Sequence, residues 1–426
     1  MADAYQHRVV DSELDELLPQ LEAVALEGPK AVGKTATATR RAATVFSLDL
    51  PGDLELVQAD PVRVTAADPP VLIDEWQRVP ATWDAVRRAV DRGAAAGSFL
   101  LTGSALPRNP PTHSGAGRIV TLRMRPMTLH ERGVGDATVS LTELLTGSRP
   151  AVEGSSDIDL EGYATEISTS GFPGLRGLSD RALRERLAGY VDRIVDTDIR
   201  EAGVDIRHPA ALRAWLTAYA AATATTASYE KIRGGATAGQ VDKPAKTTVI
   251  PYREALTRLW VLDPVPGWTT SRNELRRLTQ SPKHHLADPA LATTLLGKDP
   301  AALLAPGGDD DLPVARDGTL VGALFESLAT LSVRVFAQAA ESHVSHLRTR
   351  GGEHEVDLIV ERRDGGVVAI EVKLAASVAD DDTKHLHWLA DQLGSRLLDQ
   401  VVLTTGPHGY RRADGVAVVP LALLGP

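Results

Sequence analysis

The sequence predicts an α/β protein in three parts: an N-terminal α/β unit around a phosphate-binding loop, a helical middle, and a smaller C-terminal α/β unit. Three observations predict it. Residues Gly28-Pro29-Lys30-Ala31-Val32-Gly33-Lys34-Thr35 fit G-x-x-x-x-G-K-[ST] at every fixed position, between an apolar run and a helix start. Between 209 and 265 apolar residues recur at helical spacing, as in Leu212, Trp215, Leu216 and Tyr219. Beyond 319 the texture changes, and two apolar runs flank Asp364-Gly365-Gly366, a hairpin signature.

Length and composition set the bounds. A chain of 426 residues holds about two to four domains of ~100–200 residues each. Hydrophobic residues make up 43% and charged residues 24%, so core material is ample, but aromatics are only 4% and Ala, Leu and Val must do most of the packing. No apolar run approaches the ~18 residues of a membrane span. Met1 to Gln20 carries acids and no apolar centre, so it does not read as a signal peptide; the expected location is cytoplasmic, with no membrane partner. Cysteine is absent, which excludes disulfides, thiolate zinc sites and cysteine nucleophiles. A net charge of −10 excludes indiscriminate coating of nucleic acid; any DNA contact must come from one local basic face.

Taken in order, Leu14, Leu17, Leu18 and Leu21 have helical spacing, so residues 1–22 read as a lead-in helix. Ala23-Val24-Ala25-Leu26 is a short buried strand, and a helix starts at Ala36. Backbone N–H groups from Gly28 through Ala36 would wrap the phosphates of ATP or ADP, with the helix N-terminus adding favourable partial charge. Lys34 would reach the β- and γ-phosphates, and the Thr35 hydroxyl would ligate Mg²⁺. Thr44 to Asp49 is the next strand. Val71-Leu72-Ile73 then delivers two acids: Asp74 to the second shell of Mg²⁺, and Glu75 to orient or deprotonate the attacking water. Trp83, Val86 and Val90 mark a helix over 82–92, and Ser98 to Ser104 a further strand ending in hydroxyls. The loop 105–117 is rich in Pro, Gly and Ser, with His113 read as solvated; long polar loops of this kind are commonly functional. Arg118 after it is a candidate arginine finger, in its own subunit or in that of a homo-oligomer neighbour, or else an ordinary surface arginine.

Gly147 to Ser156 reads as a first linker, and Ile167 to Gly174 as a turn before a helix whose apolar face includes Leu183, Leu187 and Val191. The order helix, helix, Gly-rich connector (Gly234, Gly235, Gly239), helix over 209–265 fits a winged helix-turn-helix. Its cations, Lys231, Arg233, Lys243, Lys246, Arg253 and Arg258, suit either DNA contact or a helical adaptor for a partner protein. Arg272, Arg276, Arg277 and Lys283 read as a second, solvated basic face. His284 and His285 are adjacent and so diverge, which makes no metal pair. Segment 299–318, with Gly307-Gly308-Asp309-Asp310-Asp311, is a second linker. The expected domains are therefore 1–146, 157–298 and 319–426.

The last of these carries a second constellation. Leu320 to Val333 is an amphipathic helix containing Glu326, and strands are expected at 345–349, 355–360 and 367–373. Glu371 and Lys373 lie two apart and project from one face, with Asp357 on the partner strand. Carboxylates supply hard oxygen ligands and an ammonium steadies developing negative charge, which is what Mg²⁺-dependent phosphodiester cleavage needs; Glu326 would add a ligand. A cross-strand salt bridge explains the same residues without chemistry.

With these residues in view, the chain resembles a bacterial family of ATP-binding proteins with an AAA-type P-loop NTPase domain, a winged-helix middle and a C-terminal domain similar to PD-(D/E)xK nucleases. The resemblance rests on Gly28–Thr35, Ile73-Asp74-Glu75-Trp76-Gln77, Leu101-Thr102-Gly103-Ser104, Gly117-Arg118, Gly171-Phe172-Pro173, Ser281-Pro282-Lys283, Leu286-Ala287-Asp288, Glu355-Val356-Asp357 and Ile370-Glu371-Val372-Lys373. It implies ATP and Mg²⁺ as cofactors, a γ-phosphate sensor at Thr102 or Ser104, and a small restriction-endonuclease-like α/β domain at the C-terminus. The function it implies is an ATPase coupled to a nuclease-like module acting on DNA; the alternative is a regulatory or toxin–antitoxin-linked ATPase whose nuclease-like domain only binds.

Overall fold

The computed structural model describes residues 5–105, 115–204, 206, 208–236, 246–269, 280–306, 309, 312–314, 318–349 and 351–426. His113, Gly239, Lys243, Arg272, Arg276, Arg277, Gly307, Gly308, Asp310 and Asp311 lie outside the described residues.

After a lead-in helix α1 (Val9–Leu17), shorter than the sequence suggested, five strands form the first sheet. They are β1 (Ala23–Glu27), β2 (Thr44–Ser47), β3 (Val71–Asp74), β4 (Phe99–Gly103) and β5 (Val120–Arg123), in the order β2-β3-β4-β1-β5 and parallel throughout. β1, β3 and β4 are buried at every position, which is why they read as unbroken apolar runs rather than alternating ones. The crossovers carry α2 (Lys34–Thr39), α3 (Pro51–Ala59) and α4 (Ala81–Asp91). Because all five strands run the same way, the loop after β1, Asp74 at the end of β3 and Thr102 near the end of β4 meet at one edge. That edge, where strand order reverses about β1, is where open α/β sheets bind ligands.

The middle is helical. β6 (Val139–Ser140) and α5 (Leu141–Leu144) lead to α6 (Leu160–Thr169), which is capped by Asp159 accepting from Gly162 N. α6 runs through Ile167–Thr169, so the expected turn begins only at Ser170, where the backbone turns to positive φ. α7 (Asp180–Arg193) continues through a wider turn at Ile194–Asp198 into α8 (Ile199–Glu201). α9 (Pro209–Ala221), α10 (Tyr229–Gly235) and α11 (Lys246–Arg258) follow, α10 being capped by Ser228. The chain then pairs antiparallel with itself at Leu262–Leu286 and Val265–Lys283 before α12 (Pro289–Leu296) and α13 (Pro300–Leu304).

The C-terminal part opens with α14 (Leu320–Ala339) and runs β8 (His343–Arg348), β9 (Glu355–Glu361), β10 (Val367–Lys373), α15 (Asp380–Leu393), β11 (Leu397–Thr404), β12 (Tyr410–Arg411) and β13 (Ala417–Pro420). The hairpin expected at Asp364-Gly365-Gly366 is present between β9 and β10. Its seven-stranded sheet takes an edge strand, β7 (Gly267–Trp268), from the middle, and β14 (Leu424–Gly425) returns to pair with β6. One hydrophobic core correspondingly runs from Val9 to Leu424. α14 is long and apolar enough to cross a membrane by length and composition, but 83% of that stretch is buried inside the protein.

Candidate functional site

The loop after β1 is shaped by two left-handed residues, Ala31 at φ 67° and Gly33 at φ 100°. Successive turns of this kind aim backbone N–H groups inward and make an anion cradle. A Cβ on Gly28 would lie 2.1 Å from the Met124 carbonyl oxygen, so only glycine lets the loop start against the chain leaving β5. Arg8 Nη1 donates to Val32 O at 2.8 Å, and Arg8 itself is fixed by Glu131 at 2.9 Å, so a buried ion pair props the loop from outside. Lys34 Nζ donates to Gly28 O at 2.9 Å and Pro29 O at 2.8 Å. Burial pulls its pKa down to about 8 against the raising effect of Glu75 and Asp74. The ammonium thus lies folded into its own loop.

The acids at the strand ends join this loop through hydroxyls. Thr35 Oγ1 donates to Asp74 Oδ1 at 2.8 Å, and Thr102 Oγ1 donates to the same oxygen. Burial raises the Asp74 carboxyl against these two bonds. Glu75 sits at φ 56°, a left-handed conformation that turns it off the strand, and its Oε2 accepts from Ser104 Oγ at 2.6 Å and from Gln77 Nε2. Thr102 and Ser104 thus both take part: Thr102 engages the Asp74 carboxylate and accepts from Glu75 N at 3.4 Å, and Ser104 engages the Glu75 carboxylate. Sequence reasoning offered them as alternatives and missed Gln77 as a Glu75 partner, although it lies two residues away.

Magnesium suits this donor set. Mg²⁺ keeps several waters and takes one or two protein oxygens beside phosphates rather than an all-protein cage. Thr35 and Asp74 offer that pair, and among the described residues no group of three or more His, Cys, Asp or Glu is arranged to hold a metal.

Two features escaped the sequence. A cavity of about 470 Å³ opens beside the loop, lined by Tyr5, Gly33, Thr37, Met124, Pro173 and Gly174. Lys30, expected only as a backbone donor, reaches out to Asp198 at 2.7 Å and Glu201 at 3.3 Å, tying the loop to the middle helices. Both depend on segments more than 130 residues apart in sequence, so no local pattern announces them.

Arg118 needs a correction for the reading within one subunit. β5 starts beside the start of β1, with Val120 opposite Val24, whereas the loop follows the end of β1. Five or six residues of strand at ~3.3 Å each put Arg118 roughly 15–20 Å away, at the opposite edge. There it pairs with Asp91 at 2.9 Å.

The second constellation does assemble. Glu326 on α14, Asp357 on β9 and Glu371 on β10 converge, and Asp357 also accepts from Val372 N at 2.9 Å. Burial and the neighbouring Asp357 charge hold the Glu371 carboxyl well above its usual range. Lys373 stands 3.7 Å from Glu371 along the same strand, a pair that does not itself join strands. The cation among the carboxylates is Lys283, which the sequence placed on a solvated face: its side chain is 1% exposed and lies 2.9 Å from both Glu326 and Asp357. Of the cations expected on a DNA-facing helix, Arg253 stacks 4.5 Å over the Tyr229 ring and Arg258 donates to Ala202 O at 3.1 Å. The adjacent histidines do diverge, His284 to Ala227 O and His285 to Ser327.

Comparison with known proteins agrees with the first sheet. Residues 20–132 match a family model described as an AAA domain, residues 160–302 and 321–424 two models described as domains of unknown function. Two uncharacterised mycobacterial proteins, from Mycobacterium bovis and Mycobacterium tuberculosis, are each 25% identical over 97% of this chain and 83% of their own length. The Walker-type ATPase of Pyrococcus abyssi superposes with TM-score 0.41 at 16% identity, over 69% of this chain and 97% of that one. The ORC2 protein of Aeropyrum pernix gives TM-score 0.26 at 14% identity, over 71% and 91%. At such scores neither likeness adds to what the sheet order already says. Strand order, loop and family match together make the N-terminal part of this chain an AAA-type P-loop domain, a nucleotide-binding ATPase fold.

Proposed function

We propose that the chain is a Mg²⁺-dependent ATP-binding protein and ATPase that passes its nucleotide state to the C-terminal, nuclease-like module. The observation that carries this is the single hydrogen-bonded set Thr35–Asp74–Thr102 and Glu75–Ser104–Gln77, gathered at the strand edge beside Lys34. In this reading Lys34 leaves the carbonyls of Gly28 and Pro29 for phosphate oxygens. Thr35 and Asp74 would hold a magnesium ion, which would supply charge to stabilise the transferring phosphoryl group. Glu75, held by Ser104 and Gln77, orients the attacking water. The cavity walled by Tyr5, Pro173 and Gly174 takes the nucleoside. Arg118, facing away, would serve only a neighbouring subunit.

The nuclease-like reading of 319–426 is supported by the element order α14-β8-β9-β10-α15-β11 and by the convergence of Glu326, Asp357 and Glu371. The winged-helix reading of 209–265 is supported by three helices followed by antiparallel bridges. Against direct DNA contact there, Arg253 and Arg258 are each engaged with a group of the chain itself, the Tyr229 ring and Ala202 O. That favours the adaptor role and gives weight to the second reading, a regulatory ATPase whose C-terminal domain binds without cutting.

Calorimetry with ATP and Mg²⁺ tests the first claim: the full chain binds, and Lys34→Ala abolishes binding. Unchanged affinity in that variant would sink the site. Incubation with plasmid and linear DNA in Mg²⁺ or Mn²⁺, with Glu371→Ala as control, tests the second. Cleavage lost in Glu371→Ala supports the nuclease; intact ATP turnover without cleavage supports the regulatory reading.

A further inference from the structure

The C-terminal carboxylates Glu326, Glu355 and Asp357 gather around one buried ammonium. Lys283 Nζ lies 2.9 Å from Glu326 Oε1, 2.9 Å from Asp357 Oδ1 and 3.3 Å from Glu355 Oε1, with its side chain 1% exposed. Asp357 Oδ1 accepts a hydrogen bond from Nζ, and Glu326 and Glu355 surround the same ammonium as ion-pair partners. A hard divalent ion bridging Glu326 and Asp357 needs oxygens at ~2.0–2.6 Å on every side and could not share that volume with Nζ. A metal therefore does not fit this conformation. Lys283 comes from the middle of the chain, while the carboxylates come from α14 and β9.

We propose that Lys283 is the resident cation of this cluster, an internal plug that a divalent ion must displace before Glu326 and Asp357 can bind metal. The plug is also placed to be moved. Lys283 exchanges backbone hydrogen bonds with Val265, both at 2.9 Å. Five residues on, buried Asp288 accepts from Gly171 N at 2.7 Å and Ser170 Oγ at 3.0 Å. Gly171 leads directly into Pro173 and Gly174, the wall of the cavity beside the phosphate loop. A Cβ at Gly171 would meet Met127 O at 2.5 Å, so this wall is packed closely on the chain that leaves β5. One short segment thus holds the cavity wall at one end and the plug at the other. A ligand that shifts the wall pulls on Lys283. This link rests on the cavity being the nucleotide's; the plug itself does not.

The test is Mn²⁺ binding to the full chain, without nucleotide or DNA, by calorimetry and by electron paramagnetic resonance of the free ion. Lys283→Met is expected to bind Mn²⁺ at least 10-fold tighter than wild type, and adding Asp357→Asn should remove the gain. Equal binding by wild type and Lys283→Met overturns the plug. Removing the ammonium leaves buried carboxylates facing each other and can prevent folding, so wild type is measured as well. Acylation of the Lys283 amine, read by mass spectrometry, should be slow in buffer and rise severalfold as Mn²⁺ is raised. Mn²⁺ binding that is lost in Asp357→Asn while Lys283 stays protected in wild type also overturns the plug. Saturating nucleotide should raise the same labelling; unchanged labelling with nucleotide bound removes the link to the cavity. A chain that binds no nucleotide refutes the ATPase reading and leaves the Mn²⁺ comparison to judge the plug.

Discussion

The junction between the three parts can be challenged at a single carboxylate. Asp263, with its side chain 6% exposed, is ion-paired with Arg123 Nη1, Arg125 Nε and Arg334 Nη1, each at 2.8 Å, and Arg125 Nε donates a hydrogen bond to its Oδ2. Arg123 belongs to β5, Arg125 to the strand exit that packs on the phosphate loop, and Arg334 to α14. Burial would raise the Asp263 carboxyl, but the three guanidiniums outweigh it and hold it far below the usual carboxylate range. With the folded pKa depressed, its stabilisation is present above ~4, the unfolded value, and lost only in strong acid. Substitution is therefore the practical probe. At an effective dielectric constant near 20, each pair at ~4 Å between charge centres attracts by about 4 kcal/mol. Much of that sum is offset by the cost of burying the ions, and removing one partner of a buried network costs about 3–5 kcal/mol. Asp263→Asn keeps the shape, removes the charge and leaves three buried cations repelling one another. We expect a loss of about 3–5 kcal/mol; with a slope of ~3 kcal/mol/M in urea, the unfolding midpoint falls by at least about 1 M. Asp192→Asn, which breaks the exposed pair with Arg213, serves as control and should change stability by less than ~0.5 kcal/mol. Combining Asp263→Asn with Arg334→Met should recover part of the loss. A change below about 1 kcal/mol for Asp263→Asn would refute the reasoning.

Two further outcomes follow from the phosphate loop. Gly28→Ala must move the Met124 carbonyl away from a Cβ that would otherwise lie 2.1 Å from its oxygen; it should weaken ATP binding at least tenfold in calorimetry and lower thermal stability, and native-like values for both would contradict the packing. With the Lys34 pKa near 8 in the free protein, about three quarters of the molecules are neutral there at pH 8.5. Arriving phosphate charge favours the ammonium, so ATP binding should take up protons at pH 8.5 and almost none at pH 6.5. Calorimetry in buffers of different ionisation enthalpy reads this directly, and equal uptake at both pH values would show that Lys34 is charged throughout.

What the sequence determined was whatever a short window can hold. The loop Gly28–Thr35 carries its own turn geometry and chemistry, and Val71–Asp74 announces itself because a strand buried on both faces must be apolar until it reaches the ligand edge. The hairpin at Asp364-Gly365-Gly366 is equally local. Even Glu371 and Lys373 were placed on one face by strand periodicity alone. Tertiary structure decided the partners. Lys283 read as a solvated cation because it follows Arg272, Arg276 and Arg277 in a basic stretch; its counter-charges at Glu326, Glu355 and Asp357 arrive from 43 or more residues away. Arg118 remained a candidate for its own subunit's loop until the parallel register of β5 with β1 put it at the opposite edge. Asp263 gave no signal at all, since a lone acid in a loop looks the same whether water or three arginines surround it. Charge pairing over long separations costs the chain only loop closure, so it leaves no periodicity to read, and the pairs that join the three parts are written in contacts rather than in motifs.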